Sequence, residues 1–316
     1  MRKKVLLVHP IHQAGIDLLN KEVDLVWAKA ANPEQLKKEV ADVHGIILRL
    51  SPLTADIINA APKLEVIGRA GVGYDNVDIQ AAAVRGIPIV YSPGSNAVSV
   101  AEHTIGFLIT LAKQFITAHE ALKYQNSFQN RDAIKTMELA GKTVGIIGFG
   151  DIGRKVAVMC QAGLGMKVLA YVRKKKSYLE GSGGIQFVND INEVLTKADF
   201  VSLHVPATQE TYHMISAEQL QKMKPTAFLI NTARGSIVDE KALFKALDEK
   251  WIAGAAIDVF EQEPPMKDNP LYSLGNIVVT PHMAGLTDES MAVMALMVAK
   301  GVLNVLRGEQ PKYIAK

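Results

Sequence analysis

Three polar residues each follow a short apolar run in the second half of the chain. Arg234 stands in Asn231-Thr-Ala-Arg234-Gly235, Glu263 in Asp258-Val-Phe-Glu-Gln-Glu263-Pro264-Pro265, and His282 in Thr280-Pro281-His282-Met-Ala-Gly285. Each run reads as a parallel strand, and open α/β sheets bind ligands at the carboxyl edge of such strands. Histidine is the side chain suited to exchanging a proton near neutral pH. An arginine leaving a buried strand suits a carboxylate, and a carboxylate beside an imidazole favours the charged ring. Hydride transfer to a carbonyl needs a general acid, a cation that polarises the carbonyl, and a group that tunes the acid. Singly, each residue has a plainer reading: a surface ion pair, an acidic loop, a structural histidine. Their recurrence at successive strand ends favours the chemical one. The other histidines are weaker candidates. His9 and His12 flank a turn at Pro10, His103 falls in a helical pattern and reads as packed, and His204 ends a strand before Pro206.

A redox partner is written upstream. Val144-Gly-Ile-Ile-Gly148-Phe-Gly150-Asp-Ile-Gly153-Arg places G-x-G-x-x-G between an apolar run and a helical pattern. In that context the glycines mean a tight turn, close approach to a pyrophosphate, and a helix N-terminus facing the anion. Asp151 and Ile152 open that helix. An acid about 20 residues on would hold the adenosine ribose hydroxyls. Val172 occupies that place, and Arg173, Lys174, Lys175 and Lys176 follow. An acid would repel a 2′-phosphate, whereas arginine offers it a bidentate match. Arg173 and Lys174 are therefore read as 2′-phosphate contacts, with NADP preferred over NAD.

Short apolar runs alternate with helical patterns along the whole chain, which predicts an α/β protein with parallel sheets and helices on both faces. The first strands are expected at Lys4–Val8, Leu25–Ala28, Gly45–Leu48, Val66–Gly68 and Ile87–Val90. One long helix is expected from about Val98 to Tyr124. A six-strand alternation then runs from Thr143–Ile147 to Ile277–Thr280, and a last helix covers about 285–308.

The 316 residues suffice for two domains with their own cores. A net charge of +3 is too small to argue for nucleic acid or a membrane surface. No uninterrupted run approaches the 18 or so apolar residues of a span. The four-residue run Val5–Val8 is too short for a signal peptide. The lone Cys160 permits no intramolecular disulfide and fits a reducing cytoplasm. It reads as a small buried residue. No H-E-x-x-H or C-x-x-C pattern suggests a metal.

The chain resembles the D-isomer-specific 2-hydroxyacid dehydrogenase family, most of all its D-3-phosphoglycerate dehydrogenase branch. The resemblance is carried by Gly68-Arg-Ala-Gly71-Val-Gly73-Tyr-Asp-Asn-Val-Asp78, Ser95-Asn96-Ala-Val-Ser-Val-Ala101-Glu-His103, Gly141 to Gly150, Leu203-His-Val-Pro206, Asn231 to Gly235, and Thr280-Pro-His282. It implies two Rossmann-like domains around a cleft: a flavodoxin-like substrate domain of 1–97 and 286–316, and an NAD(P)-binding doubly wound parallel sheet of 98–285. Arg234 would hold the carboxylate and carbonyl of a 2-oxo acid, His282 would exchange its proton, and Glu263 would pair with His282. Amides at Val72 and Gly73, with Asn96, would serve the substrate carboxylate side. Arg49 would reach a distal substrate group. Val205, Pro206, Thr232, Ala233, Asp258 and Gly285 would join Gly148, Gly150, Asp151, Ile152 and Gly153 along the cofactor, with Asp258 at the nicotinamide carboxamide. The stretch Val98–Tyr124 would serve a homodimer.

Two departures stand out. Val172 replaces the ribose-binding acid, and the chain stops after the last helix, without the regulatory domain of longer phosphoglycerate dehydrogenases. A 3-phosphoglycerate-like substrate leads. Glyoxylate or hydroxypyruvate reduction, formate or phosphite oxidation, and a non-enzymatic dinucleotide-sensing corepressor are the rivals.

Overall fold

The computed structural model describes residues 2–173 and 183–315. Lys174, expected at the cofactor, lies outside the described residues, as do Lys175 and Lys176. Residues Met1–Asn96 and Gly285–Lys316 form one compact unit, and Ala97–Ala284 another.

The first unit begins with β1 (Lys4–Leu7), α1 (Gln13–Asn20), β2 (Asp24–Trp27), α2 (Pro33–Glu39), β3 (Gly45–Leu48), α3 (Ala55–Asn59), β4 (Val66–Arg69), α4 (Ile79–Val84) and β5 (Ile89–Tyr91). Its sheet runs β2-β1-β3-β4-β5 with every pair parallel, the flavodoxin-like order. The residues of β3 and β4 are all buried, hence the continuous apolar runs in the sequence. Helix starts are set by polar caps. Asn32 accepts from the Gln35 amide at 2.9 Å with Pro33 opening α2, and Asp78 accepts from the Ala81 amide at 2.9 Å.

The second unit opens with α5 (Ala97–Lys113) and α6 (Phe115–Lys123). The single helix expected over Val98–Tyr124 is two. Gln114 adopts a left-handed conformation, φ 52°, which interrupts the helical ladder. Its amide side chain donates to the Leu111 carbonyl at 2.8 Å, covering one carbonyl that the break leaves open. There follow β6 (Thr143–Ile147), α7 (Asp151–Val158), β7 (Lys167–Tyr171), β8 (Gln186–Val188), α8 (Ile191–Lys197), β9 (Phe200–Leu203), α9 (Ala217–Lys222), β10 (Phe228–Asn231), α10 (Glu240–Asp248), β11 (Gly254–Ile257) and β12 (Ile277–Val279). The parallel order β12-β11-β10-β9-β6-β7-β8 is the dinucleotide-binding 3-2-1-4-5-6 pattern counted from β6, extended by a seventh strand. Six strands were expected. The extra one, β8, has three residues, too few to show a period.

After β12 the chain returns to the first unit as α11 (Asp288–Leu306), capped by Thr287 on the Ser290 amide at 3.3 Å. By length and composition alone α11 could cross a membrane, although charged and polar residues interrupt its apolar run. Here it packs on β3, β4 and β5, with Val298, Ala299 and Val302 fully buried. Gly68 of β4 makes room for it: a Cβ there would stand 2.8 Å from the Val298 side chain and 2.9 Å from that of Val302.

Candidate active site

Two of the three motif glycines are explained by the chain itself. Gly148 has φ +99°, and a Cβ there would stand 2.5 Å from the His204 carbonyl oxygen. A Cβ at Gly153 would stand 2.1 Å from the Gly148 carbonyl oxygen. Any side chain would push the turn off α7 or off β9. Gly150 differs: a Cβ there would meet nothing within 4 Å. No side chain caps α7, whose first residues are Asp151 and Ile152. Open space before an uncapped helix N-terminus fits a pyrophosphate, with the first-turn amides as donors. Asp151 is turned to Arg154 at 2.5 Å.

The other expected cofactor residues line the neighbouring strand ends. Val205 and Pro206 follow β9, and the Val205 side chain would lie 2.8 Å from a Cβ on Gly148. Thr232 and Ala233 follow β10. The Thr232 hydroxyl is buried and bonded to that of Thr104 on α5 at 3.0 Å. Beyond β7, the Val172 amide donates to the Val188 carbonyl, and exposed Arg173 forms an ion pair with exposed Glu210. Gly285 falls in the other unit. A Cβ there would press on the Asn96 side chain, 2.6 Å from its amide nitrogen.

Past β10 the chain turns sharply. Asn231, 1% exposed, accepts from the Ala233 amide at 3.0 Å and donates to the Arg234 carbonyl at 2.9 Å. That clamp fixes the backbone from which Arg234 projects. Gly235 then lets this turn slide under the loop after β11: a Cβ there would stand 1.9 Å from the Phe260 carbonyl carbon and 2.4 Å from the Glu261 amide. The loops bearing Arg234 and Glu263 are therefore in backbone contact.

His282 Nδ1 and Glu263 Oε2 are 2.6 Å apart, with both side chains 31% exposed. Glu263 Oε1 accepts from the Phe260 amide at 3.1 Å. Burial pulls the Glu263 carboxyl upward. The hydrogen bond and charge of His282, the Phe260 amide and the Arg234 charge outweigh it and hold the group below the ordinary carboxylate range. An ionised carboxylate only accepts, so Nδ1 carries the hydrogen and Nε2 is left for chemistry.

His282 has a left-handed backbone, φ +51°. Asp258, 1% exposed, holds it there. Asp258 accepts from the Met283 and Ala284 amides, each at 2.8 Å, and from the Thr280 hydroxyl at 2.5 Å. Its backbone carbonyl accepts from the His282 amide at 2.7 Å. Thr280 also shares a 3.1 Å hydrogen bond with His103 Nε2. His103 is thus more than packing. Its ring meets Phe107 edge-on at 4.5 Å, and burial pulls its pKa down against the raising charge of Asp258. Sequence reasoning missed Asn231, whose bonds close a local turn, and Thr280, whose contacts join segments distant in sequence.

His204 bonds to Ser202 at 2.9 Å, and burial pushes its pKa down to about 3, so it stays neutral. Burial pushes the Cys160 thiol up to about 12, which makes it inert packing.

In the first unit, Arg49 follows β3 and Asn76 ties its carbonyl to that of Ser51, at 3.0 and 2.8 Å. His9 accepts from the Arg49 amide at 3.1 Å and bonds Ser51 at 2.9 Å. Burial, then the charges of Arg49 and Arg69, lower the His9 pKa, and burial lowers that of Arg49. Arg69, 9% exposed, lies over Gly71, where a Cβ would collide with its guanidinium. Val72 and Gly73 continue that turn, and Ser92 pins it through the Gly71 carbonyl at 3.0 Å. The Asn96 side-chain oxygen is buried with no hydrogen-bond partner in the structure.

Residues 105–284 match the sequence model of the D-isomer specific 2-hydroxyacid dehydrogenase NAD binding domain. The chain is 41% identical to a D-3-phosphoglycerate dehydrogenase of Methanocaldococcus jannaschii, over 97% of this chain but 58% of that protein. It thus spans little more than half of that relative. It is 39% identical to a glyoxylate reductase of Korarchaeum cryptofilum, over 98% of this chain and 95% of that one. Among solved structures, an NADPH-dependent glyoxylate/hydroxypyruvate reductase of Sinorhizobium meliloti, in complex with NADP and malonate, is similar. Its TM-score is 0.89 at 29% identity, covering 100% of this chain and 97% of that one.

The three glycines should separate on substitution. Gly153→Ala should cost ~1–3 kcal/mol of stability through overpacking, read by urea denaturation. Gly150→Ala should keep stability within ~1 kcal/mol, an N-cap effect, yet weaken dinucleotide binding measured by titration calorimetry. Unchanged binding in Gly150→Ala would remove the pyrophosphate from this turn.

Proposed function

The chain belongs to the D-isomer specific 2-hydroxyacid dehydrogenase family, and from that premise we propose that it interconverts a small D-2-hydroxy acid and its 2-oxo acid with NADP(H). The observation that carries this is the 2.6 Å His282–Glu263 pair, which stands on the same sheet edge as Arg234 and the Gly148–Gly153 turn.

A bound nicotinamide supplies or accepts the hydride at C2. Arg234 holds the carboxylate and polarises the carbonyl oxygen. His282 gives its Nε2 proton to that oxygen in reduction and takes it back in oxidation, so one hydride and one proton convert ketone to alcohol. Glu263 keeps Nδ1 protonated and stabilises the imidazolium. Because its pKa is lowered, that contribution is complete above the ordinary carboxylate range and is lost only as pH falls through the lowered value. Asp258 already accepts three bonds, from Met283, Ala284 and Thr280. A carboxylate has about four acceptor sites, which leaves room for a carboxamide N–H.

In the first unit, the amides of Val72 and Gly73 and the unpartnered oxygen of Asn96 supply donors and an acceptor for the substrate. Arg49, with Arg69 and His9 beside it, supports an anionic distal group such as that of a 3-phosphoglycerate-like acid. A second reading, glyoxylate or hydroxypyruvate reduction, is favoured by the glyoxylate reductase that the chain matches over 95% of its length.

NADP is preferred because Val172 brings no charge to the ribose position, while Arg173 pairs, among the described residues, with the solvent-exposed carboxylate of Glu210. A doubly charged 2′-phosphate would displace that pair, since exposed ion pairs are worth ~1 kcal/mol or less. A homodimer is proposed from α6, none of whose residues is buried and whose Phe115, Ile116 and Leu122 are 53%, 48% and 53% exposed. The single buried cysteine supports a cytoplasmic location.

His282→Gln should lower turnover by at least ~100-fold, the usual worth of a general acid, with NADPH binding retained; lost binding would count against the role. With the best 2-oxo acid, NADPH should outperform NADH by about tenfold or more, the worth of one charge-assisted phosphate contact. Arg173→Ala should erase most of that ratio. A higher rate with NADH would overturn the cofactor assignment. Light scattering should give the mass of two chains, and a monomer at micromolar concentration would refute the dimer.

A further inference from the structure

The mechanism leaves a second histidine–carboxylate pair unused. Glu261, two residues before Glu263, lies 2.7 Å from His213 Nε2 through Oε1, and the Tyr212 hydroxyl donates to the same oxygen at 3.4 Å. The Tyr212 and His213 rings stack, with centroids 4.0 Å apart and planes at 18°. The segment from Glu261 to Pro264 is exposed, so packing does not hold it. Polar tethers do. The Glu261 amide donates to Glu240 at 2.6 Å, and Asn269 donates to the other Glu240 oxygen at 3.3 Å. The His213–Glu261 pair adds a tether from outside the loop.

His213 is itself held firmly. Its backbone is left-handed, φ +48°, and its amide donates to the Ser236 carbonyl at 2.8 Å. Ile215 then forms a parallel bridge to Val238. The His213 segment is thus fastened to the chain that leaves Arg234, while its ring grips the loop that carries Glu263. The charged and titratable groups around it are Glu261, Tyr212 and Glu240, with Asp239 acting on Tyr212.

We propose that His213 is a positioning residue for the reaction, acting through Glu261 to hold Glu263 against His282. The proposal rests on the assignment of Glu263 and His282 as the acid pair. Without the His213 tether the exposed loop loosens and the Glu263 carboxylate spends less time on Nδ1. The protonated imidazole is then less favoured, so 2-oxo acid reduction fails at a lower pH.

The test is the alkaline limb of the pH profile for 2-oxo acid reduction with NADPH, measured on the full chain. Glu263→Gln should move that limb by about one pH unit to the acid side. His213→Asn tolerates the left-handed backbone but is too short to reach Glu261. It should move the limb the same way by a smaller amount, with kcat falling more than KM changes. His213→Gln restores a donor of adequate length and should bring the limb back. Glu261→Ala removes the acceptor from the other side and should reproduce His213→Asn, which guards against misfolding of either variant. The double variant His213→Asn/Glu263→Gln should match Glu263→Gln alone. A limb that moves with Glu263→Gln but not with His213→Asn, or shifts that add in the double variant, overturns the role of His213. A limb that Glu263→Gln leaves in place overturns the acid pair, and this proposal with it.

Discussion

A carboxylate buried to 1% exposure must be saturated with donors, and Asp258 draws its donors from the segment that carries His282. Two backbone amides and a hydroxyl close on its oxygens, and its own carbonyl takes the His282 amide. That set of bonds offsets the left-handed backbone at His282, a conformation that costs a residue with a Cβ about 1–2 kcal/mol. The imidazole therefore leaves β12 at an angle fixed by β11. Glu263 comes from the loop that starts at Asp258 itself, so acid and partner are both referenced to one buried group. Removing the charge at Asp258 would free both ends of the pair at once.

The parallel sheet makes this economy possible. Every strand of the second sheet ends at the same edge, so the turns after β6, β9, β10, β11 and β12 are neighbours although about 130 residues of chain separate the first from the last. Side chains acting on one small molecule must be adjacent without sharing a helix face or a hairpin. The glycines show how tightly the turns are stacked. Gly148 sits against the backbone after β9, and Gly235 against the backbone after β11. Those positions are closed to side chains for reasons internal to the fold, whereas Gly150 faces open space.

Sequence alone carries much of this and misses a definable remainder. The two parallel sheets were legible because strands buried on both faces are continuous apolar runs. The break at Gln114 was not, because a glutamine in the left-handed region leaves no mark on an apolar period. β8 is too short to show one. At the candidate site, residue types were legible: a histidine, a glutamate and an arginine at strand ends. Their supports were not. Asn231 clamping the Arg234 turn, Thr280 bridging Asp258 and His103, and His213 gripping Glu261 are contacts between loops 22 to 177 residues apart or turns closed on themselves. Nothing in local pattern distinguishes such a side chain from a solvated one. His103 illustrates the point: its helical setting suggests packing, and only the fold places it beside Thr280.

The ribose-reading end of the site follows a different physical logic from the catalytic end. Around His282 the charged groups are partly or wholly buried and matched within hydrogen-bond distance, so their geometry is fixed before any ligand arrives. Around Arg173 the pair with Glu210 is exposed, 72% and 71%, and screened by water and salt. An acid at position 172 would have favoured ribose hydroxyls through a fixed acceptor. Val172 instead gives its backbone to β8, and in the proposed NADP reading recognition falls to Arg173, exposed and paired with Glu210. Selectivity built this way is set by a difference between two weak pairings, Arg173 with a carboxylate or Arg173 with a phosphate. It should therefore be salt-sensitive, while the acid pair, shielded and hydrogen-bonded, is not.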